Sequence, residues 1–169
     1  MAAGPTMERL AYTSLGSDAN GITFTSISQS YTTLYVTGHL KSDATSDSGL
    51  YFTINDNSGN VYSMMGWYGA SSRSYATSQS NYVDRFGMDN SGTTGSFRSF
   101  EFWFFNYTST SSYKQWIGCE FGQSGNPSWF GGLFRSNSAI TSLEFEAYLP
   151  YGRKVKTGST MSLYGIAGA

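Results

Sequence analysis

The chain has 169 residues, of which only 12% are charged and 17% are aromatic, with a formal net charge of −1. That length suits a single domain able to bury about two-thirds of its unfolded surface. A charge so near zero offers no field for nucleic acid or an anionic membrane. A chain with 13 Tyr and 12 Phe is too aromatic to be disordered.

No apolar run approaches the roughly 18 residues needed to span a bilayer. The opening Met1-Ala2-Ala3-Gly4-Pro5 has neither the basic region nor the apolar core of a signal peptide. With one cysteine, Cys119, no internal disulfide can form. These features read as synthesis in a reducing cytoplasm. Cys119 is in phase with Ile117 and Phe121 and is expected to be a small buried apolar residue.

In chain order, residues 1–7 read as an N-terminal arm and 8–169 as one β domain. Glu8 to Leu15 is a first strand, closed by the turn cluster Ser17-Asp18-Ala19-Asn20-Gly21. Ile22 to Ile27 is a second. Thr33 to Lys41 is the cleanest amphipathic strand: Leu34, Val36 and Leu40 share one face, and Thr33, Tyr35, Thr37, His39 and Lys41 share the other. Leu50, Phe52 and Ile54 alternate inward. Asn55 to Asn60 supplies residues that tolerate positive φ, and Val61 to Tyr68 follows, a pattern that predicts a hairpin. Residues 69–96, Ser-rich with isolated Tyr75, Tyr82 and Phe86, read as a long loop of functional or interface character.

Residues 97–107 form the strand around which the rest is arranged. Phe100, Phe102 and Phe104 point to one face, while Glu101, Trp103, Phe105 and Tyr107 point to the other. One face must lie against a second layer. The other carries a carboxylate and is expected to be only partly covered, as in a central strand of a two-layer sheet structure. Tyr113 to Phe121 is its hairpin partner. Trp129 to Phe134 and Ile140 to Leu149 follow, the latter with Leu143, Phe145, Ala147 and Leu149 inward and Glu144, Glu146 and Tyr148 outward. The last strand is Ser159 to Ile166. The whole predicts an all-β, jelly-roll-like antiparallel sandwich of about eight to ten strands.

No catalytic or metal constellation stands out. His39, the single histidine, sits on the polar phase of its strand and reads as a surface residue rather than a triad member. The 55–60 segment lacks the closing Glu of a calcium loop, since Gly66 stands at the twelfth position. Glu144 and Glu146 share an outward face, and Glu101 and Glu120 are candidate cross-strand neighbours. Sequence alone does not place either pair in a cleft at the set separation that general acid and base catalysis needs. No enzyme activity, cofactor or metal is expected. Trp67, Tyr68, Trp129 and Phe130 lie near turns and are candidates for stacking on sugars or anchoring a protein interface. Arg153, Lys154 and Lys156 form a basic patch.

Several segments together resemble small virion proteins of tailed bacteriophages, particularly phages of marine bacteria and cyanobacteria. They are Ile22 to Ile27 with Tyr31 to Leu34, Leu50 to Asn55 with its Asn/Gly turn, the aromatic strand leading into Asn106-Tyr107, Ala139 to Leu143, and the ending Gly158-Ser159-Thr160-Met161-Ser162-Leu163-Tyr164-Gly165-Ile166. The resemblance spans about residues 10 to 166. It implies a non-enzymatic virion structural protein, foremost a capsid decoration (cement) protein. Its partners would be the major capsid protein and its own copies, with a trimer favoured. Alternatives are a head- or tail-fibre tip domain binding a host receptor or glycan, and a carbohydrate-binding module. Such proteins often have Gly and Ser where this chain has Phe102 to Phe105 and Trp129-Phe130, so the extra aromatics suggest a larger interface here.

Overall fold

The computed structural model of the chain describes residues 6–41, 50–68, 73–80, 82–86, 97–121, 127–147 and 153–168, with backbone alone at 68, 73–80 and 84–86. Among these residues are twelve strands: β1 (Met7–Ser14), β2 (Gly21–Phe24), β3 (Thr33–Leu40), β4 (Leu50–Ile54), β5 (Tyr62–Tyr68), β6 (Arg73–Ser80), β7 (Val83–Phe86), β8 (Arg98–Phe105), β9 (Lys114–Phe121), β10 (Ser128–Phe134), β11 (Leu143–Ala147) and β12 (Thr160–Ile166). All pair antiparallel. They form an eight-stranded sheet, β1-β12-β3-β8-β9-β10-β5-β6, and a four-stranded sheet, β2-β11-β4-β7. The chain shuttles between the sheets, and only β5–β6, β8–β9 and β9–β10 are sequential neighbours within one. This is the expected jelly-roll-type sandwich.

Two strands more than expected arise inside 69–96. β6 and β7 lie there, each at the edge of its sheet. An edge strand needs a partner on one side only and tolerates polar residues on both faces. A Ser-rich segment can therefore be a strand without a period-two signature.

The 55–60 segment also differs from expectation. β4 belongs to the small sheet and β5 to the large one, so the connection is a corner between sheets and not a hairpin. Asn55 and Asp56 adopt φ of 57° and 51°, the left-handed region in which Asn and Asp are favoured. The Asn55 amide nitrogen donates to the Ala139 carbonyl at 2.7 Å. Its oxygen accepts from the backbone N–H of Thr141 at 2.8 Å and of Ser142 at 3.1 Å. Tyr62 reaches back across the corner, its hydroxyl accepting from the Ile54 N–H at 2.8 Å and donating to the Asn57 carbonyl at 3.0 Å.

The core lies between the sheets. β8 is an interior strand, and Phe100, Phe102 and Phe104 are buried as the alternation required, as are Leu34, Val36 and Leu40 of β3. Phe52 of the small sheet sits against the large one. Its ring meets Phe102, Phe104 and Trp116 edge-on at centroid distances of 5.1, 5.6 and 5.3 Å, and Phe145 of its own sheet at 5.5 Å. Room for these rings comes from glycines across the strand. Gly38 faces Phe100 and Gly118 faces Phe102 in register, and a Cβ at either glycine would lie 2.3 Å from the opposing ring.

Three further expectations change. Tyr107 is buried, not on the outer face: Asn106 takes φ of 49° and turns the chain, and the Tyr107 hydroxyl donates to the Ser28 carbonyl. Glu101 and Glu120 are not cross-strand neighbours, because Glu101 pairs with Cys119 and Glu120 with Phe100. Glu120 therefore points inward, buried beside Arg98 at 3.5 Å. Met7, the last residue of the expected arm, opens β1 opposite Ile166, and the Thr6 carbonyl accepts from the Ala167 N–H. Residues 1–5, like Leu149, lie outside the described residues.

Candidate functional site

Register in the large sheet assembles one row of side chains across its outer face. Trp67 of β5 lies opposite Trp129 of β10, Trp129 opposite Cys119 of β9, Cys119 opposite Glu101 of β8, and Glu101 opposite Thr37 of β3. A second row, two residues along, runs Met65, Gly131, Ile117, Trp103, Tyr35 and Tyr164. Period-two alternation fixes this face: the neighbours Met64, Trp116, Phe102 and Phe130 all point into the core.

Trp67 and Trp129 form a surface pair. Their ring centroids are 5.5 Å apart with planes inclined by 31°, and each side chain keeps nearly half its surface exposed, 46% and 45%. Around them Met65 (66%), Ile117 (50%) and Phe121 (54%) are open as well. Exposed apolar side chains gathered in this way mark an interaction site. Gly131 leaves a shallow dip between Met65 and Ile117, where an added Cβ would make only ordinary contacts at 3.7 and 3.8 Å.

Beside the aromatic platform stands a pinned carboxylate. Glu101 accepts from the Tyr35 hydroxyl at 2.8 Å and from the Cys119 thiol at 3.4 Å. The Tyr35 ring packs on Trp103 with centroids 4.5 Å apart. Burial, and then the hydrogen bond to Glu101, push both the Tyr35 hydroxyl and the Cys119 thiol up to about 12. Both groups therefore stay protonated donors at neutral pH, and the carboxylate keeps one orientation.

Cys119 was expected to be a buried apolar residue. It shares the phase of Ile117 and Phe121, but that phase is the outer one, and the thiol is half-buried and hydrogen-bonded. Because thiolate is the nucleophile, its raised pKa predicts slow alkylation. At pH 8, iodoacetamide should modify Cys119 at least roughly 100-fold more slowly than a small free thiol. A rate near that of the free thiol would show that Glu101 and burial do not hold the proton.

The remaining sequence candidates separate from this face. Phe130 is buried in the core, with 4% exposure, because it alternates inward from Trp129. Tyr68 ends β5, and its side chain lies outside the described residues. Lys156 forms an ion pair with Asp18, and Lys154 donates to the Asn20 side chain. Between them Val155 bridges Ala19. Asp18 also accepts from the Thr157 N–H at 3.0 Å, and its carboxyl is held below the usual range chiefly by Lys156. Lys154 and Lys156 thus anchor residues 153–157 to the 18–20 turn, and Arg153, half-buried, begins the same segment. His39 is exposed, as expected, and stacks on Phe97 at 4.6 Å. Glu144 and Glu146 share the outer face of the small sheet, with Glu144 accepting from Thr23 and Glu146 from Tyr51. The sequence reading did not single out Met65, Ile117, Phe121 or Tyr35, nor Glu101 as an anchor on this face. Alternation along β9 was the available signal, since it puts Ile117, Cys119 and Phe121 on one face and Glu120 on the other.

No known family profile matches the chain, and no curated protein matches it in sequence. Similar solved structures include a PL-14 alginate lyase from Aplysia kurodai (TM-score 0.41, 10% identity, covering 92% of this chain and 79% of that one). A protein of unknown function from Shewanella oneidensis is also similar (TM-score 0.39, 9% identity, 100% and 82%), as is a galectin from Caenorhabditis elegans (TM-score 0.38, 10% identity, 96% and 99%). Likeness at this level carries no argument about function. The candidate site rests on this chain's own geometry.

Proposed function

We propose that the chain is a non-enzymatic binding module that takes a glycan on the outer face of its large sheet, acting as a receptor-binding surface domain of a virion. The observation that carries the reading is the exposed Trp67–Trp129 pair beside the pinned Glu101. The C–H face of a pyranose ring is apolar and its rim is lined with hydroxyls. A ligand of that kind needs an aromatic plane next to fixed polar groups, and indole rings provide such a plane with little rotamer freedom to lose. The virion setting rests on the resemblance of the segments running from residue 10 to 166.

A second reading, capsid decoration through binding of the major capsid protein and further copies of the chain, is favoured by Met65, Ile117 and Phe121. These exposed side chains offer no hydrogen bonds to a sugar, and Met and aromatic residues are enriched at protein interfaces. One experiment separates the two. The purified chain is titrated onto an array of algal and bacterial oligosaccharides and, in parallel, onto capsids lacking it. Saturable glycan binding, weakened about tenfold or more by Trp67→Ala or Trp129→Ala with the β circular dichroism unchanged, is the expected result. Saturation of capsids at a fixed copy number with no retention by any glycan would overturn the glycan reading and establish decoration.

A further inference from the structure

Glu101 is the one carboxylate among the described residues that face outward on β3, β5, β8, β9 and β10. Among the described residues it has no cationic partner. Its contacts are two neutral donors, Tyr35 and Cys119. A carboxylate has about four acceptor positions, so roughly two remain for groups arriving from solvent. Two strand spacings, about 10 Å, separate Glu101 from Trp129 in the same row, a span suited to adjoining sugar units. Thr37 extends the row with a further hydroxyl.

We propose that this face selects an uncharged, hydroxyl-rich saccharide, with Trp67 and Trp129 stacking on one ring, Glu101 accepting hydroxyls of the next, and the unpaired negative charge excluding carboxylated or sulfated sugars. The inference rests on the glycan reading above and deepens it. A sugar hydroxyl donates to carboxylate in a charge-assisted hydrogen bond, which is stronger than one between neutral groups. A uronate brought to the same place meets like charge, and the cation the described residues supply on this face, Arg9 of β1 opposite Tyr164, stands three strands away from β8. The pinning of Glu101 from two sides matters because an acceptor already oriented loses little freedom when it binds.

The test uses matched pairs that differ only in a carboxylate: galacto-oligosaccharides against oligogalacturonates, and manno-oligosaccharides against oligomannuronates, titrated calorimetrically into the full chain. A neutral member is expected to bind at least about tenfold more tightly than its uronate. Glu101→Gln, which keeps the side chain's size, should weaken the neutral ligand about tenfold and narrow the preference. Raising the salt concentration should improve uronate binding and leave neutral binding unchanged. Wild-type protein that binds uronates as tightly as neutral sugars, or better, overturns this inference and leaves the glycan reading standing. Failure of every saccharide to bind, with the fold intact, overturns the glycan reading and this inference with it.

Discussion

Phe52→Ala is expected to cost the protein about 4 kcal/mol. Removing a buried Phe forfeits its transfer free energy and leaves a cavity, together about 3–5 kcal/mol. Phe52 belongs toward the upper part of that range. It is fully buried, and it meets Phe102, Phe104 and Trp116 of the facing sheet edge-on while also touching Phe145 beside it. Three of these four contacts join one sheet to the other, so the cavity opens in the seam that holds the sandwich together. Total stability of a domain this size is about 5–15 kcal/mol, so the variant should fold marginally. Urea denaturation should show a lower midpoint at an unchanged slope. Because Phe52 has no part in the outer face, the surviving folded fraction should bind ligand as the wild type does. A loss under about 1 kcal/mol would mean that the rings close over the gap, contrary to this packing.

Much of the sandwich was legible because period-two alternation is a local signal. Leu34-Val36-Leu40 and Phe100-Phe102-Phe104 each announce a buried face within one strand, and the β8–β9 hairpin follows from the polar segment between two aromatic strands. The partition into sheets was less legible. β4, the Asn55–Asn60 turn and β5 look alike whether they form a hairpin or a corner. What decides is the side-chain amide of Asn55 bound to residues 139–142, a contact between segments far apart in sequence. β6 and β7 were hidden because edge strands owe their existence to a partner and not to their own hydrophobicity. The site followed the same pattern. Trp67 and Trp129 could be marked as candidates by residue type, but the β5–β10 register that sets ring beside ring is non-local. Glu101 was visible on a half-covered face, while its partner was misassigned to Glu120. The one-residue register that sends Glu120 inward and Cys119 outward is set by the hairpin's geometry.

On the adjacent rung, Gly118 is a position where fold and site are closely joined. Gly118→Val is expected to destabilise the protein by about 3 kcal/mol, the upper end for overpacking a core. A Cβ there would lie 2.3 and 2.5 Å from carbons of the Phe102 ring and 2.7 Å from the backbone oxygen of Glu101. None of these can retreat cheaply. Phe102 is fully buried and boxed by Phe52, Trp116 and Phe145 at centroid distances of 5.1, 6.0 and 6.2 Å, while the Glu101 oxygen belongs to the β8 backbone. The relief left is to spread β8 from β9. The next residue pair along is Cys119 and Glu101, so spreading would lengthen the thiol–carboxylate hydrogen bond and loosen the carboxylate. The variant should therefore show three coupled changes: a lower melting temperature, faster alkylation of Cys119, and weaker ligand binding. Gly131→Ala is the control, because its Cβ meets nothing closer than 3.7 Å and should leave stability within about 0.5 kcal/mol. If Gly118→Val melted with the wild type, Phe102 would have to rotate freely in its box, and the glycine opposite it would owe its place to something other than the ring.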